Sequence, residues 1–214
     1  MTDDKKYIPA LRFGFLTPLY DPLLRWVMRE LTFKRRLIEE AKIAAGFRVL
    51  DLGCGTGTLT VLVKQTHPDA QVIGIDGDNK VLAIARAKAA QHRADIKFDW
   101  GMAYQLPYSK DSFDRVLSSL VIHHLTTDEK QRAFSEAFRI LKSGGELLVV
   151  DFGKPHNFLA GAISLVIRHL ERTEDNINGL LPDMFRRAGF QDVQIANQFM
   201  NVFGTIALYR GWKP

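Results

Sequence analysis

The sequence contains a single cysteine, Cys54, among its 214 residues, so no internal disulfide can form. One thiol is typical of a protein from a reducing compartment, and we predict a cytoplasmic location. No apolar run approaches the roughly 20 residues that a membrane-spanning helix needs. The first residues, MTDDKKYIPALRF, include acids and no continuous apolar segment, which argues against a secretion signal.

A long block of one charge sign is also missing, although Lys and Arg outnumber Asp and Glu by 29 to 24. The sequence shows neither zinc-finger spacing nor an aromatic RNA-binding signature, so we predict no nucleic-acid partner. The densest basic cluster, FKRR, is followed at once by two acids, which favours a solvated helix face. Peripheral contact with an anionic membrane is a second hypothesis, and it depends on Arg25, Trp26, Arg29, Lys34, Arg35 and Arg36.

Short apolar stretches alternate with helical patterns from Gly46 onward, which predicts an α/β fold with helices on both faces of a mostly parallel sheet. Only MNVFG separates the last two stretches, too little for a crossover helix, so the last strand should run antiparallel. We therefore predict a Rossmann-like, seven-stranded sheet with a reversed last strand and an N-terminal helical cap. The predicted strands are residues 47–52, 71–76, 96–100, 113–120, 146–152, 192–199 and 205–212.

Helix signals divide the chain into two predicted parts. Asp21 followed by Pro22 is typical of a helix start, and we expect helices in residues 1–45 that cover the opening of the site. Residues 46–214 form the predicted core, in which residues 153–178 are an acceptor-side insertion. Within the core, we expect Asn79 to cap one helix and another helix to begin at Thr126 and stop at the Ser-Gly-Gly of residues 143–145.

A glycine-rich turn, in the stretch VLDLGCGTGTLT, follows the first predicted strand. A dinucleotide fingerprint needs Gly-x-Gly-x-x-Gly, but Thr58 occupies the third glycine position. Asp51 lies two residues before the first glycine, where its carboxylate would repel a pyrophosphate in a partly buried site. A ligand with an ammonium and a sulfonium group suits that carboxylate, which points to S-adenosylmethionine. An NAD-dependent reductase is an alternative that the same two observations oppose.

An acid also ends the second predicted strand. Asp76 occupies the position from which a carboxylate can accept hydrogen bonds from ribose hydroxyls. NAD would use such an acid as well, so this residue supports a nucleoside ligand without choosing between the two cofactors.

These motifs resemble those of class I S-adenosylmethionine-dependent methyltransferases, and within that class most closely the ubiquinone/menaquinone C-methyltransferase group. The similarity extends from about Tyr20 to the C-terminus, and it is carried by VLDLGCGTG, LPYSKDSFD, FRILKSGGELLVVDFGKP, AGF and ALYRGWKP. The resemblance implies methyl transfer from S-adenosyl-L-methionine to a small-molecule acceptor, with S-adenosyl-L-homocysteine as the product.

The resemblance also implies a set of cofactor-binding positions. The backbone of the glycine turn would line the methionine part, and Asp76 would hold the ribose. Met102 stands where the family usually has a polar residue, and a thioether can pack on adenine but cannot accept its amino protons. The implied set is Tyr20, Asp51, Gly53, Cys54, Gly55, Asp76, Gly77, Met102, Ala103 and Ser119.

Two adjacent histidines, His123 and His124, follow the fourth predicted strand, where cofactor and acceptor should meet. Either imidazole can take a proton near neutral pH, and a base is needed only if the nucleophile must lose one. We choose His124 first, because Leu125 begins the apolar packing; a capping or packing role is the alternative. Asp151, at the end of the fifth strand, can face the acceptor or be structural. We predict no metal site, since adjacent side chains diverge and no further ligand lies at suitable spacing.

An apolar run, Phe158–Ile167, lies between the fifth strand and the last helix. A pocket wall of this kind favours a lipophilic or aromatic acceptor, and a core helix is the alternative. The quinone enzymes have a longer insertion here, with a tyrosine- and serine-containing motif that this sequence lacks, which argues against a quinone. A phospholipid acceptor and a non-catalytic S-adenosylmethionine-binding protein are further alternatives. Nothing in the sequence indicates the oligomeric state.

Overall fold

The computed structural model describes residues 30–155, 173–201 and 204–214. Its strands are β1 (Arg48–Leu52), β2 (Gln71–Asp76), β3 (Lys97–Trp100), β4 (Phe113–Ser119), β5 (Leu141–Phe152), β6 (Gln191–Asn201) and β7 (Gly204–Trp212). Its helices are α1 (Glu30–Ala41), α2 (Thr58–Thr66), α3 (Asn79–Gln91), α4 (Thr127–Ile140), α5 (Glu174–Ile177) and α6 (Leu181–Arg187), with a 3-10 turn at Ile122–His124.

The strands form one sheet in the order β3-β2-β1-β4-β5-β7-β6. Neighbouring strands from β3 to β5 pair in parallel, whereas β7 pairs antiparallel with both β5 and β6. The strand order changes direction between β1 and β4, and ligands of such sheets bind beyond the carboxyl ends of the strands at that point. The predicted seven-stranded sheet with a reversed last strand is confirmed.

Alternate residues of each central strand face opposite sides of the sheet, and both sides are apolar. Leu50 and Leu147 pack with side chains of α4 and α6, whereas Val49 and Leu148 pack with side chains of α1 and α2. A strand segment buried on both faces needs a nearly continuous apolar sequence, as residues 147–150 of β5 have. The predicted helices on both faces are therefore confirmed.

Two predicted helix boundaries are corrected by the structure. The cap of α3 is Asp78, whose side chain accepts a hydrogen bond from the Lys80 amide at 2.7 Å, and Asn79 is the first helical residue. The start of α4 is as predicted, with Thr126 and Glu129 forming a capping box. The helix ends at Ile140, before the Ser-Gly-Gly, because the next residue already pairs with β4.

The N-terminal part of the chain is described only from residue 30. There α1 buries Phe33 and Leu37 in the apolar cluster that also contains β1 and β5. Residues 1–29 lie outside the described residues, and so do Tyr20, Arg25, Trp26 and Arg29. The predicted division at residue 45 and the insertion at 153–178 remain predictions. Among the described residues, no helix has the length and apolar character that crossing a bilayer requires.

The predicted basic cluster on α1 is largely ion-paired. Lys34 is buried and pairs with Glu30, while Arg36 pairs with Glu39 and Glu40. Arg35 is exposed and none of these pairs includes it, so the membrane hypothesis now depends on Arg35 and on residues outside the described part.

The LPYSKDSFD segment connects β3 and β4 and is held by the C-terminal half of α4. The Leu106 amide donates to Glu136 Oε2 at 2.8 Å, and the Arg139 guanidinium donates to the Tyr108 carbonyl at 2.8 Å. Glu136 and Arg139 also pair with each other, which lowers the pKa of the Glu136 carboxyl. Two separate segments of the family resemblance are thus one structural unit.

Candidate active site

The carboxyl ends of the parallel strands bring most of the predicted cofactor residues to one edge of the sheet. Asp51 and the glycine turn end β1, Asp76 ends β2, and Ser119 ends β4. In the pairing register, Asp51 lies beside Gly74 of β2 and Leu117 of β4. The predicted site therefore surrounds the point at which the strand order reverses.

The glycine turn adopts a backbone conformation that requires glycine. Gly53 and Gly55 have φ angles of +70° and +51°, in the left-handed region. A Cβ at Gly53 would also clash with the side chain of Val121, in the segment after β4. A Cβ at Gly55 would meet no described residue within 4 Å, so within that part of the chain the backbone at this position borders open space. This geometry explains the glycine spacing and leaves room for a ligand against the turn.

Asp76 joins the second strand to the glycine turn. Its carboxylate accepts hydrogen bonds from the amides of Gly55 and Asp78, both at 2.9 Å. Burial raises the pKa of Asp76, although these amides oppose the rise. A carboxylate with a raised pKa gains when further hydrogen-bond donors approach it. Asp76 is therefore close enough to the turn to bind the same ligand.

Asp51, near the end of β1, is a buried acid. It is 2% exposed, and Thr60 in α2 donates to its carboxylate from the hydroxyl, at 2.6 Å, and from the backbone amide. Burial raises its pKa to about 6, while Thr60 and the charge of Lys34 oppose the rise. Thr60 was not predicted from the sequence as a partner of Asp51. Its position in the first turn of the helix after the glycine turn was the one local indication. An ionised Asp51 is costly in the ligand-free protein and would be stabilised by a nearby cation.

Cys54 lies in the same turn but is not a reactive thiol. It is buried, and its Sγ packs within the apolar cluster of α3 and β3. Burial raises the pKa of the thiol, and the charges of Asp51 and Asp76 raise it further. The thiolate is the nucleophilic form of cysteine, so this residue contributes backbone and volume to the turn.

The segment after β3 is a tight turn in which Met102 and Gln105 form a bridge. Gly101 begins the turn, and its amide donates to the Asp76 carbonyl at 3.1 Å. Met102 and Ala103 are half-buried beside this contact, and Ala103 packs against the core. The structure therefore brings the predicted adenine segment next to Asp76.

The two histidines have different surroundings. His123 is 5% exposed, and its Nδ1 lies 2.8 Å from Oδ1 of Asp151, whereas His124 is exposed. Their rings are 4.0 Å apart between centroids. Asp151 therefore pairs with His123, whereas our first choice was His124. In the described part of the chain, no group of three or more His, Cys, Asp or Glu residues is arranged to hold a metal ion.

Asp151 is fully buried and accepts five hydrogen bonds. Oδ2 accepts from the amides of Ile122 and His123, at 2.8 and 3.3 Å. Oδ1 accepts from His123 Nδ1 and Phe152 N at 2.8 and 2.7 Å, and from Asn176 Nδ2 at 3.1 Å. Burial alone would raise its pKa, but the neighbouring His123 and these donors lower it. The carboxylate is therefore ionised and joins β5, the segment after β4, and α5.

Sequence reasoning missed Asn176, which lies within the predicted insertion and has no motif around it. It is fully buried, and its Oδ1 has no hydrogen-bond partner among the described residues. The hydroxyl of Ser119 is likewise buried and unpartnered within that part of the chain. Buried polar atoms nearly always have partners, so each of these two atoms offers a hydrogen-bonding position to a ligand, a water or a residue outside the described ranges.

Comparison with known proteins agrees with this geometry. The methyltransferase domain family matches residues 49–145, from β1 into β5. A demethylmenaquinone methyltransferase of Thermus thermophilus is 34% identical over 176 residues, which cover 81% of this chain and 78% of the relative. The chain belongs to the S-adenosylmethionine-dependent methyltransferases. Within them it is close to the ubiquinone/menaquinone C-methyltransferase group, as the sequence analysis predicted.

Two further proteins show how far this methyltransferase resembles others. The ubiquinone/menaquinone biosynthesis C-methyltransferase UbiE of Marinomonas sp. is 31% identical over 172 residues, which cover 76% of this chain and 66% of the relative. A phosphoethanolamine N-methyltransferase 2 of Haemonchus contortus, solved with S-adenosyl-L-methionine, shares the fold at a TM-score of 0.69 and 18% identity. That likeness covers 86% of this chain and 52% of the other.

S-adenosylmethionine is the cofactor of this methyltransferase, and the site residues fit it. Within the described ranges, the space beside Gly55 is open and the buried hydroxyl of Ser119 has no partner. Both Asp51 and Asp76 have raised pKa values, so each gains from a cation or from hydrogen-bond donors.

Proposed function

We propose that this methyltransferase binds its cofactor along the carboxyl edge of β1, β2 and β4 and methylates a small apolar or aromatic acceptor. Asp51 would attract the ammonium group, the backbone of the glycine turn at Gly55 would pack against the methionine part, and Asp76 would hold the ribose. When bound, the cofactor supplies an electrophilic methyl group. The chain contributes by orienting the acceptor and excluding water. Such positioning can lower the activation free energy by ~7–11 kcal/mol.

We propose that His123, oriented by Asp151, removes a proton from the acceptor. Because Asp151 is ionised and accepts from Nδ1, it favours the imidazole tautomer with the proton on Nδ1. Nε2 is then the nitrogen that can accept a proton. The distance of 2.8 Å between Nδ1 and Oδ1 is the observation on which this assignment rests. It replaces our first choice of His124, whose side chain is exposed.

The proposal of an apolar or aromatic acceptor is supported by the sequence and by the names of the relatives. The apolar run Phe158–Ile167 lies outside the described residues, so its place beside the acceptor remains a prediction. A quinol-type acceptor is a second candidate, because both curated relatives are named as quinone methyltransferases. A small-molecule acceptor is common to both candidates. The cytoplasmic location and any membrane contact remain predictions as well.

Calorimetry with S-adenosylhomocysteine tests the cofactor assignment. Asp76→Ala should weaken binding by roughly 1.5–3 kcal/mol, because a charged acceptor of hydrogen bonds is lost. Asp69→Ala, at an exposed position between α2 and β2, is the matched control and should bind like the unaltered protein. Unchanged affinity in Asp76→Ala would refute the assignment. Binding of NADH in place of S-adenosylhomocysteine would refute the interpretation of the glycine turn.

Release of S-adenosylhomocysteine tests the chemistry across a panel of phenols, quinols, amines, thiols and phospholipids. We expect turnover with phenols or quinols. His123→Asn should lower kcat by about 100-fold or more while cofactor affinity stays the same, since general-base catalysis contributes ~10²–10⁴. His124→Asn should lose less, and a greater loss there would assign the base to His124. Cofactor binding without turnover of any acceptor would favour a non-catalytic protein.

A further inference from the structure

Trp100, the last residue of β3, has the largest side chain among the exposed apolar residues of the described chain. It is 55% exposed, although an indole is among the side chains that gain most from burial. Exposure of one apolar side chain is common on protein surfaces, so the position and orientation of this indole decide what it can bind. A ligand or partner that covers the indole would therefore be favourable.

The sheet register places this indole beside the predicted ribose acid. Trp100 pairs with Asp76 on the neighbouring parallel strand, so the two side chains project to the same side of the sheet from strands about 4.8 Å apart. The next amide, that of Gly101, donates to the Asp76 carbonyl at 3.1 Å. Asp76 in turn accepts from the Gly55 amide of the cofactor turn. The indole is thus the outer neighbour of the proposed nucleoside site.

A hydrogen bond fixes the orientation of the indole. Trp100 Nε1 donates to the carbonyl of Gly77 at 2.9 Å. Gly77 follows Asp76 directly and has no side chain, so it does not displace the indole from this corner of the sheet. A side chain that is held by its own hydrogen bond loses little further freedom when a ligand binds.

We infer that the Trp100 indole forms one wall of the adenine subsite. This inference rests on the proposed cofactor site. Met102, in the turn after Trp100, offers a thioether, which is only a weak hydrogen-bond acceptor for the adenine amino group. The base is therefore held here by packing against flat and polarisable groups, and an aromatic face beside it adds affinity and excludes water. The indole acts on the nucleoside and not on the amino-acid end of the cofactor.

Binding of two probes tests the inference. Trp100→Leu should weaken S-adenosylhomocysteine by about five- to thirtyfold, as expected for loss of an aromatic–base contact. Methylthioadenosine, which lacks the amino-acid part, should lose the same factor. Trp100→Phe keeps an aromatic face and should lose less. Ile195→Ala, which alters a 45% exposed side chain on the opposite edge strand, is the matched control and should change neither affinity.

Fluorescence gives a readout that does not depend on activity. The chain has three tryptophans, so Trp26→Phe with Trp212→Phe leaves Trp100 as the single indole. Titration with S-adenosylhomocysteine should change the fluorescence emission of Trp100, and the ligand concentration at half the change should match the Kd from calorimetry. Affinity of Trp100→Leu within twofold of the unaltered protein, or unchanged emission at saturation, would overturn the inference. If Asp76→Ala also binds normally, the proposed site itself is wrong; if only Asp76→Ala loses affinity, the site stands and the indole does not contribute.

Discussion

Asp51 and Asp151 occupy similar places in the sheet and have opposite surroundings. Both are buried at the carboxyl ends of parallel strands, Asp51 in β1 and Asp151 in β5. Among the described residues, Asp51 accepts hydrogen bonds only from Thr60, and burial raises its pKa to about 6. Asp151 accepts five, and with His123 beside it the pKa of its carboxyl is lowered despite burial.

The difference separates a carboxylate that joins several elements of the fold from one whose donors, among the described residues, all belong to Thr60. The donors around Asp151 offset the cost of removing its charge from water, so its ionised form stabilises the fold. Among the described residues, Asp51 has too few donors to do so, and its charge is a cost that a cationic ligand would reduce. A perturbed carboxyl of this kind is typical of functional positions. The comparison therefore supports a binding role for Asp51 and a positioning role for Asp151.

The largest effect should follow from removing the well-partnered carboxylate. Asp151→Ala leaves His123 and several amides buried without their acceptor, and we expect a loss of about 3–5 kcal/mol in the free energy of unfolding. Urea denaturation measures this loss. Asp183→Ala breaks an exposed pair with Arg186 and should cost less than about 0.5 kcal/mol. If Asp151→Ala lowers the free energy of unfolding by less than about 1 kcal/mol, the Asp151 carboxylate does not stabilise the fold and the contrast with Asp51 is wrong.

The opposite sign is expected at Asp51. Asp51→Asn removes a buried charge while its amide oxygen can still accept from Thr60, so the ligand-free protein should gain roughly 1–3 kcal/mol at pH 7.5. Between about pH 6 and 4 the native carboxyl binds a proton that the unfolded chain does not bind. This group therefore stabilises the native state as the pH falls, and the gain from the variant should shrink toward about pH 4.5. Urea denaturation of both proteins at both pH values provides the measurement. A destabilised variant at neutral pH would contradict the comparison.

The smallest effect concerns ligand binding. If the ionised Asp51 attracts the ammonium group, affinity for S-adenosylhomocysteine should fall by about tenfold for each pH unit below the pKa of about 6. Asp51→Asn should bind more weakly at about pH 7.5 and should show a flatter dependence between about pH 7 and 5. Calorimetry across that pH range measures the affinity of both proteins. The variant reports the effect of all other titrating groups, so the difference between the two profiles belongs to Asp51. Parallel pH profiles would show that Asp51 does not bind the ligand.

Much of the fold was predictable because its signals are local. The apolar stretches identified all seven strands, and the short MNVFG connection identified the antiparallel final pair. The start of β5 was missed, since the first residue after α4 pairs with β4 across a register shift, which no local pattern reveals. The cap of α3 was placed one residue late for a similar reason, because two adjacent polar residues are both good caps and only the backbone geometry distinguishes them.

The sequence by itself determined the glycine turn, the two strand-end acids and the family, because these depend on residue type and spacing within short segments. The tertiary structure alone decided which histidine pairs with Asp151, how many donors each buried carboxylate receives, and where the Trp100 indole lies. Partners such as Asn176 and Asp151, or Gly55 and Asp76, are 25 and 21 residues apart and meet only when the strands assemble. Burial and hydrogen-bond partners set a pKa, and both are properties of the assembled sheet edge and not of any one segment.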